Sequence, residues 1–544
     1  MKRTLCREFS FLIVLVLAAR VAHGADAPRA GWPGVRAAVD VTALDLDVVA
    51  TKDGTLVTDL KREEFVVKID GKVLPLDYFT RIEEGTLFGP DLSKASPDLI
   101  LDSMAGEAGK RFLARQILLY VDDEHLMPFD RPRAIEGLRE LVYKLSPSDQ
   151  VALFRYNRGT TRALVPFTES REALLDGLAK LEPMAPGGLT WYVQADQDYR
   201  TARASTNLQQ RRSIVRDYSA RCKIREDNAL GDLRRAVAAL AARSGKRTLV
   251  YVGAGIELHP GQTLGFSVGF RGVQQFEYDV TESYKTVLAE ANESGVTIYA
   301  IDARGLTTDV DAGESQPSEL TPFERTAARH EVPAGLAGET GGFLFENRNV
   351  FKGAADQIYR ESSTFYAIGV TLSSLPKKEA YSIKVSVTRP GVTVRSRNSF
   401  IPTNAEKAAR SRMEMALMTP DARGDFDLDV SVGATKSGGI ARRLVPLEVK
   451  IPLSALTYRD VAGRREAVVD VTVAAVEDSG ARSDPTTKRQ VISLDPAQWE
   501  TDKGRYYLFV ADLKSRTGNH RFVVTVRDLS TSRMGLGSAS VRVE

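Results

Sequence analysis

The segment Gln116–His125 reads QILLYVDDEH, an apolar run that ends in three acidic residues and a histidine. A short, continuous apolar run fits a strand that is buried on both faces, as in a parallel sheet covered by helices. The acids come where this strand would end, and open α/β sheets bind ligands at the carboxyl ends of their strands. The segment therefore predicts a central buried strand with a candidate binding site directly after it.

Apolar strand patterns alternate with helical patterns after this segment. In the first predicted helix, near Arg131–Leu145, apolar residues recur at spacings of three and four, as in a helix packed on a sheet. The alternation predicts a doubly wound α/β domain over residues 111–363, with a parallel sheet covered on both faces. Its other strands are predicted at 151–156, 163–167, 248–252 and 296–301, and its other helices near 170–181, ending near 244, and near 281–294.

Strand patterns without helices flank this domain on both sides. About three strands are predicted within residues 25–110, where Asp70-Gly71 marks a hairpin turn, and three more within 364–403. A three-stranded half would leave an apolar face in water, so we expect the two halves to form one β-sandwich into which the α/β domain is inserted. After a polar linker at 404–420, seven short strands within 421–544 predict a C-terminal all-β domain of immunoglobulin-like type.

The N-terminus has the pattern of a cleaved secretory signal. Lys2, Arg3 and Arg7 precede an apolar run that is too short to span a membrane. Ala22-His23-Gly24 offers a small-residue cleavage site, so residues 1–24 are predicted to be removed. The predicted location of the mature chain is therefore secreted, or periplasmic within the cell envelope.

Removal of this segment changes the charge of the chain. It takes away four basic residues and one acidic residue, a net +3, so the formal charge falls from +3 to 0. A neutral mature chain has no electrostatic basis for general binding to nucleic acid or anionic membranes. Cys222 is then the one remaining cysteine, so an internal disulfide is excluded and ordinary hydrophobic cores must hold the protein together.

Residues from about 38 to 402 resemble the bacterial von Willebrand factor A-related domain proteins. The resemblance implies an A-type domain of doubly wound fold, a function in binding, and a metal-ion-dependent adhesion site at the strand ends. It rests on the acid-rich end of the first strand and on the motifs DGTLVTDL at 53–60, TESREAL at 168–174, GGLT at 187–190, VTIYAID at 296–302 and LAGETGG at 336–342.

The resemblance also implies which residues would hold the metal ion. Asp122 matches the family's first ligand and Thr190 matches its threonine. Glu124 and Leu126 replace its two serines, and Gly253 stands where the distal aspartate is expected. A hard cation needs about six or more oxygen ligands. We therefore expect either a reduced Mg²⁺ or Ca²⁺ site of Asp122, Glu124 and Thr190, or a strand end whose acids accept backbone N–H bonds.

Two segments, 191–228 and 258–278, lack strong periodicity and are predicted as long loops above the acidic strand end. Their aromatic residues are of the type that anchors protein interfaces. The predicted function is an exported, non-enzymatic adhesion module that binds a protein partner through these loops. The predicted rim of the binding site consists of Asp123, His125, Gly188, Trp191, Glu257, Phe266 and Phe270.

Two other functions remain open. Residues 265–269 read GFSVG, the pattern of a nucleophile elbow, and Asp302 and His330 follow Ser267 in the order of a hydrolase triad. An elbow needs a strand directly before the serine and a helix directly after it, and the sequence around Ser267 predicts neither. The second alternative is a purely structural component of the envelope.

Overall fold

The chain forms two compact units, Val39–Asn404 and a second unit whose described part is Ala405–Glu544. The predicted signal segment lies outside the residues that the structure describes. The structure is a computed structural model that describes residues 43–88, 103–105, 111–113, 115–243, 245–270, 278–305, 322–346, 351–372, 375–376, 378–402, 405–420, 422–437, 442–461, 463–498 and 504–544.

The first unit opens with short strands joined by tight turns. Asp70 and Gly71, in the predicted hairpin turn, both have positive φ, at 50° and 81°. A two-residue hairpin loop of type I′ needs positive φ at both positions, which explains the Asp-Gly pair. These strands are β1 (Ala43–Lys52), β2 (Thr55–Leu56), β3 (Phe65–Ile69), β4 (Lys72–Leu74), β5 (Tyr78–Glu83), β6 (Thr86–Phe88), β7 (Ser103–Ala105) and β8 (Arg111–Leu113).

An α/β domain follows, with strands and helices alternating along the chain. Its strands are β9 (Arg115–Asp122), β10 (Gln150–Asn157), β11 (Thr160–Thr168), β12 (Lys246–Gly253), β13 (Val296–Asp302) and β14 (Leu344–Phe345). Its helices are α1 (Arg131–Lys144), α2 (Arg171–Leu181), α3 (Gly188–Ala204), α4 (Leu208–Ala241), α5 (Gln262–Ser267), α6 (Thr281–Glu293), α7 (Pro322–Glu339) and α8 (Lys352–Ser363).

The six strands form one sheet in the order β11-β10-β9-β12-β13-β14. Neighbouring strands from β10 to β14 are parallel, and β11 is antiparallel to β10. In terms of chain order this is 3-2-1-4-5-6, the doubly wound arrangement in which the chain switches direction beside the first strand. The predicted central strand is confirmed, because every residue of β9 is buried.

The predicted helical stripe is also confirmed. Ile135, Leu138 and Leu141 of α1 are buried and belong to one core with Leu119 and Val121 of β9. Burying such side chains stabilises the fold by roughly 1.5–3 kcal/mol each. The sequence predicts this helix because its buried face is apolar apart from Arg131 in the first turn.

The prediction of a long loop at 191–228 is wrong. This segment lies in α3 and in α4, which is 34 residues long. The buried face of α4 carries Arg225, Glu226 and Asp232 among its apolar residues, so apolar periodicity does not reveal it. The segment 258–278 contains α5, and its residues 271–277 lie outside the described residues.

Strands from both flanks of the α/β domain share sheets. After α8 come β15 (Phe365–Thr371), β16 (Tyr381–Val387), β17 (Thr393–Arg395) and β18 (Ser399–Phe400). Strand β15 pairs antiparallel with β1 and β5, and β16 pairs antiparallel with β3. One apolar core includes side chains from both flanks, such as Leu44, Val67, Ile368 and Ile383.

The second unit is a helix followed by a β-sandwich. The segment 404–420 was predicted as a linker, but it contains α9 (Ala405–Met418), whose Met413 and Leu417 pack with Val523. Among the described residues no helix is long and apolar enough to cross a membrane. The strands are β19 (Phe426–Asp427), β20 (Asp429–Val432), β21 (Lys436–Ser437), β22 (Arg443–Pro452), β23 (Arg459–Val461), β24 (Arg464–Glu477), β25 (Thr486–Leu494), β26 (Tyr506–Ser515), β27 (Gly518–Asp528) and β28 (Met534–Val543).

Two sheets of this unit enclose one apolar core. The larger sheet has the order β19-β28-β27-β24-β23, with β25 also paired to β24. In the smaller sheet, β20, β21 and β26 all pair with β22. Side chains alternate between the core and the solvent along β22, as expected for a sheet that packs on one face only.

Candidate functional site

The candidate site begins where β9 ends. Asp122 is 1% exposed, and both of its carboxylate oxygens lie within 2.8 Å of the Nδ1 atom of His125. The hydroxyl of Tyr251, on the neighbouring strand β12, donates a hydrogen bond of 2.6 Å to the same carboxylate. Charge-assisted hydrogen bonds of this length are about twice as strong as neutral ones. Protein groups therefore already compensate the charge of Asp122.

His125 joins this strand end to α4. Its Nε2 atom lies 2.8 Å from Oε2 of Glu226, so the imidazole ring sits between two buried carboxylates. Burial alone would lower the pKa of His125, but the carboxylates of Asp122 and Glu226 outweigh burial and raise it. Burial would likewise raise the pKa of Glu226, but His125 lowers it below its usual value. The charges on both sides therefore favour the protonated form of the ring.

Asp123 points to the other side of the strand end. The Nε atom of Arg155 donates a 2.6 Å hydrogen bond to one of its oxygens, and Arg131 lies 3.4 Å from the other. The side chain is completely buried, and this burial raises its pKa. The backbone N–H of Gly187 donates to the carbonyl oxygen of Asp123 at 2.8 Å, so the loop before α3 is tied to the end of β9.

Glu124 is held by backbone and side-chain donors. Its Oε2 atom accepts a 2.6 Å hydrogen bond from the backbone N–H of Arg158. Arg225 of α4 donates to the carbonyl oxygen of Glu124 at 2.8 Å and stacks over the ring of Trp191 at 4.7 Å. This arrangement ties α3 and α4 to the strand end through one guanidinium group.

Protein donors engage two of the three residues proposed as cation ligands, Asp122 and Glu124. Thr190 is exposed on the first turn of α3, whereas Asp122 is buried and engaged by His125 and Tyr251. Among the described residues, no group of three or more His, Cys, Asp or Glu side chains is arranged to hold a metal ion. As placed, Asp122, Glu124 and Thr190 do not fit a hard cation, which requires several free oxygens at short range.

Glycines allow α3 to approach the strand end closely. A Cβ atom added to Gly188 would lie 2.3 Å from the carbonyl oxygen of Leu126. A Cβ atom on Gly253 would lie 2.5 Å from the hydroxyl of Tyr251. The hydroxyl of Tyr251 thus fills the space that a side chain at position 253 would need, and it donates a hydrogen bond to Asp122.

Most of the predicted rim lies below the surface. Asp123, His125, Gly188 and Glu257 are buried. Trp191 and Phe270 are half-buried, because both pack against a small apolar cluster formed by α3, α4 and α5. Phe266 is 45% exposed, which makes it the predicted rim residue with the most accessible side chain.

Glu257 is buried in the segment between β12 and α5. Its carboxylate accepts a hydrogen bond from the backbone N–H of Gly261 at 3.2 Å, and the thiol of Cys222 lies 3.5 Å away. Burial raises the pKa of Glu257 to about 7. Burial and then the charge of Glu257 also raise the pKa of the Cys222 thiol, so Cys222 is not a reactive nucleophile.

An exposed apolar surface on α3 was not predicted. Leu189, Tyr192 and Val193 are between 45% and 59% exposed, and their spacing of three and one places them on one face of the helix. Trp191 and Tyr199 of the same helix pack on Tyr218 of α4. Helical periodicity on both faces of 188–204 is the signal that could have revealed this surface. We call Leu189, Tyr192 and Val193 the α3 stripe.

The hydrolase constellation is not assembled. Ser267 is the last residue of α5, and its hydroxyl donates to the carbonyl oxygen of Leu264 at 2.8 Å. The two ring nitrogens of His330 contact carboxylates, Asp302 at 2.5 Å and Glu346 at 2.8 Å. A general base needs a ring nitrogen directed at the serine hydroxyl, so the hydrolase alternative is not favoured.

The order and direction of the six strands define the α/β domain as doubly wound, the fold class that the resemblance to an A-type domain implies. The resemblance to von Willebrand factor A-related proteins is thereby confirmed at the level of the fold. Neither the family models nor the curated proteins include a match to this chain.

Solved structures provide distant likenesses. A von Willebrand factor type A protein from Catenulispora acidiphila is 10% identical, with 93% of this chain and 74% of that one covered and a TM-score of 0.24. The pilus adhesin SpaC from Lactobacillus rhamnosus GG is 9% identical, with 78% and 56% covered and a TM-score of 0.28. A Bacteroides uniformis beta-glucuronidase is 12% identical, with 33% and 19% covered and a TM-score of 0.15. The chain thus spans about a fifth of the glucuronidase and just over half of the adhesin. At these scores the fold assignment rests on the strand order alone.

Proposed function

We propose that this protein is a non-enzymatic binding module that contacts a protein partner with the α3 stripe. The observation that carries the proposal is an exposed apolar helix face at the carboxyl edge of the sheet. Exposed apolar side chains grouped on one surface mark interaction sites, whereas single ones are ordinary. Tyrosine and its apolar neighbours supply the kind of contact area that anchors interfaces.

The surroundings of the stripe support this function. Helix α3 starts at the end of β9, since Gly187 bonds to Asp123 and Gly188 touches Leu126. Phe266 on α5 and Phe129 in the loop before α1 are also exposed, and both follow the carboxyl ends of strands in this sheet. A partner would thus meet apolar side chains supported by a rigid network of buried ion pairs.

The proposal includes the finer architecture and the location of the protein. We infer an A-type domain inserted into a β-sandwich that both flanks build, followed by an immunoglobulin-like domain. The cross-pairing of β1 with β15 and of β3 with β16 supports the insertion. The basic and apolar pattern of residues 1–24 supports export to the envelope or beyond.

Site-specific photo-crosslinking tests the binding surface. A photoreactive amino acid at Tyr192 should trap one partner protein in cells, and the same group at Val73, which is exposed on β4, should not trap it. Val193→Asp should remove the cross-link at Tyr192 while the melting temperature stays unchanged. Equal cross-linking at both positions, or none at Tyr192, would contradict the proposal and favour a purely structural role.

Calorimetric titration tests whether the strand end binds a cation. Because protein donors engage the carboxylates of Asp122 and Glu124, we expect no saturable heat on adding Mg²⁺ or Ca²⁺ to the protein. Saturable heat that disappears in Asp122→Ala would establish the reduced metal site of Asp122, Glu124 and Thr190. Cross-linking of the partner in the presence of a chelator then tests whether partner binding needs a cation.

A further inference from the structure

We infer that β26 pairs with β26 of a second copy of this chain, antiparallel and across a two-fold axis. The inference concerns the C-terminal unit and is independent of the proposed function of α3. It rests on a free strand edge whose exposed side chains are apolar and on the pattern of charge beside that edge.

One edge of β26 is unpaired among the described residues. All ten residues of β26 pair with β22, and no other described strand pairs with it. On β22, Pro446 pairs with Asp512, and its carbonyl oxygen accepts from Gly433 on the side away from β26. Pro446 and Asp512 are thus a pair without mutual hydrogen bonds, and the N–H and C=O of Asp512 point to the free edge.

The backbone N–H and C=O groups of successive residues in a strand point to opposite edges, so the direction found for Asp512 also fixes the direction at the other residues of β26. The carbonyl oxygen of Arg505, an odd-numbered residue, accepts from Leu453 and so points toward β22. The even-numbered residues therefore direct their N–H and C=O groups outward. An arriving strand would find a regular row of donors and acceptors at Tyr506, Leu508, Val510 and Asp512.

The same residues carry an exposed apolar row. Tyr506, Leu508 and Val510 are 59%, 51% and 39% exposed, while Phe509 and Ala511, on the other face of the strand, are buried in the core. Natural edge strands are usually protected from pairing by charges, prolines, bulges or a covering segment. The central part of β26 shows none of the first three devices, which favours an edge kept for a partner strand.

The edge is complementary to itself. If two copies of β26 pair antiparallel with Leu508 opposite Val510, apolar side chains meet at the centre and Tyr506 lies opposite Asp512. On the same face of β22, Lys450 is beside Leu508 and Glu448 is beside Val510. Across the joined sheet, Lys450 and Leu508 of one copy are therefore followed by Val510 and Glu448 of the second copy. The two ends of the row carry opposite charges, and no like charges lie directly opposite each other.

This pattern favours a second copy over a foreign strand. A two-fold interface must be self-complementary, and the arrangement of Leu508, Val510 and Asp512 meets that condition. Eight backbone groups of each copy form the pairing around the axis, so a modest interface with a concentration-dependent equilibrium is expected.

Sedimentation analysis across a concentration series provides the first test. The mature chain should shift from monomer to dimer mass, and Leu508→Lys should abolish the shift. Val491→Lys is the matched control, because Val491 is 53% exposed on the edge strand β25. A wild type that stays monomeric throughout, or a control that loses the dimer equally, would overturn the proposal.

A proline variant separates pairing from folding. The N–H of Leu508 points away from β22, so Leu508→Pro should leave the circular dichroism spectrum and the β22 pairing intact while it removes the dimer. A dimer that persists in Leu508→Pro would place the contact elsewhere.

Disulfide trapping tests the register. In a Cys6→Ser background, a mixture of Leu508→Cys and Val510→Cys proteins should form a covalent heterodimer under mild oxidation. Directly opposite residues of this type lie about 5.5 Å apart at Cα, which suits a disulfide. Cys222 is buried and will not compete. A mixture that yields only cross-links to an unrelated protein would show that a foreign strand occupies the edge.

Discussion

His125 lies between two buried carboxylates that belong to different elements, Asp122 of β9 and Glu226 of α4. In the family that this chain resembles, a metal ion neutralises the strand-end acid. Here the ring of His125 contacts that acid, and the two carboxylates favour its protonated form. The difference follows from a few positions: Glu124 and Leu126 in place of serines, and Gly253 in place of the distal aspartate.

His125→Ala should destabilise the protein. The substitution leaves Asp122 and Glu226 buried without their shared counter-charge, and removing one partner of a buried ion pair costs about 3–5 kcal/mol. The free energy of unfolding from urea denaturation measures the loss. The control is His259→Ala: His259 lies 3.3 Å from Asp279, and its side chain is 35% exposed, so we expect a change below about 1 kcal/mol. Equal losses in both variants would contradict the assigned role of His125.

Glu257 gives the protein a pH-dependent stability. Its folded pKa is raised by burial from 4.5 to about 7, so the carboxyl group stays protonated in the folded state while it ionises in the unfolded state. Stability linked to Glu257 is therefore complete below pH 4.5 and is lost as the pH rises toward 7, by about 3 kcal/mol in total.

Glu257→Gln should remove this dependence. The neutral amide keeps the size of the side chain, so the variant should be more stable than the wild type at pH 8 and similar to it at pH 4. Urea denaturation at the two pH values measures the difference. An advantage of the variant that does not change with pH would show that Glu257 does not titrate in this range.

At the scale of elements, the start of α3 depends on close backbone contact with the β9 loop. Gly188→Ala places a Cβ atom 2.3 Å from the carbonyl oxygen of Leu126, so α3 must shift, at a cost of about 1–3 kcal/mol. Gly231→Ala in α4 is the matched control, because its Cβ atom would meet only the end of Arg235 at 3.9 Å.

The control variant should be more stable than the wild type, whereas Gly188→Ala should be less stable. Alanine is favoured over glycine inside a helix by about 0.5–1 kcal/mol, so Gly231→Ala should raise the melting temperature while Gly188→Ala lowers it. Differential scanning calorimetry of both variants provides the comparison. A neutral Gly188→Ala would show that α3 does not dock on Leu126 as described.

At the scale of elements, the sequence predicted the helices and strands whose buried faces are mostly apolar. Strand β9 and helix α1 were predicted because their central buried residues are apolar and the buried polar residues lie only at their ends. Helix α4 was missed because Arg225 and Glu226 lie on its buried face. Their partners, Glu124 and His125, are about a hundred residues away in the chain, and local periodicity carries no information about them.

At the scale of the whole molecule, the described part of the second unit has its own core. Residues of β22, β24, β26 and β27 form one apolar cluster, and α9 packs on β27 through Leu417. Arg521 donates hydrogen bonds to the carbonyl oxygens of Ala416 and Leu417 at the end of that helix. These contacts belong entirely to residues 405–544.

A fragment of residues 405–544 should therefore fold alone. We expect a cooperative unfolding transition and a circular dichroism spectrum dominated by β-structure. A fragment that starts at residue 421 should be less stable, because it lacks α9 and exposes Val523 and Leu536. If the shorter fragment is equally stable, α9 is a linker, as the sequence predicted.

The sequence by itself determined the elements whose buried faces are mostly apolar, and with them the doubly wound class of the α/β domain. It also indicated that the two flanks share a sandwich, since each half alone would leave an apolar face in water. Only the tertiary structure decided that His125 and Tyr251 engage Asp122, that α3 exposes an apolar stripe, and that β26 is an edge. These features depend on which side chains meet across long separations in the chain, and that is a property of packing which local composition does not encode.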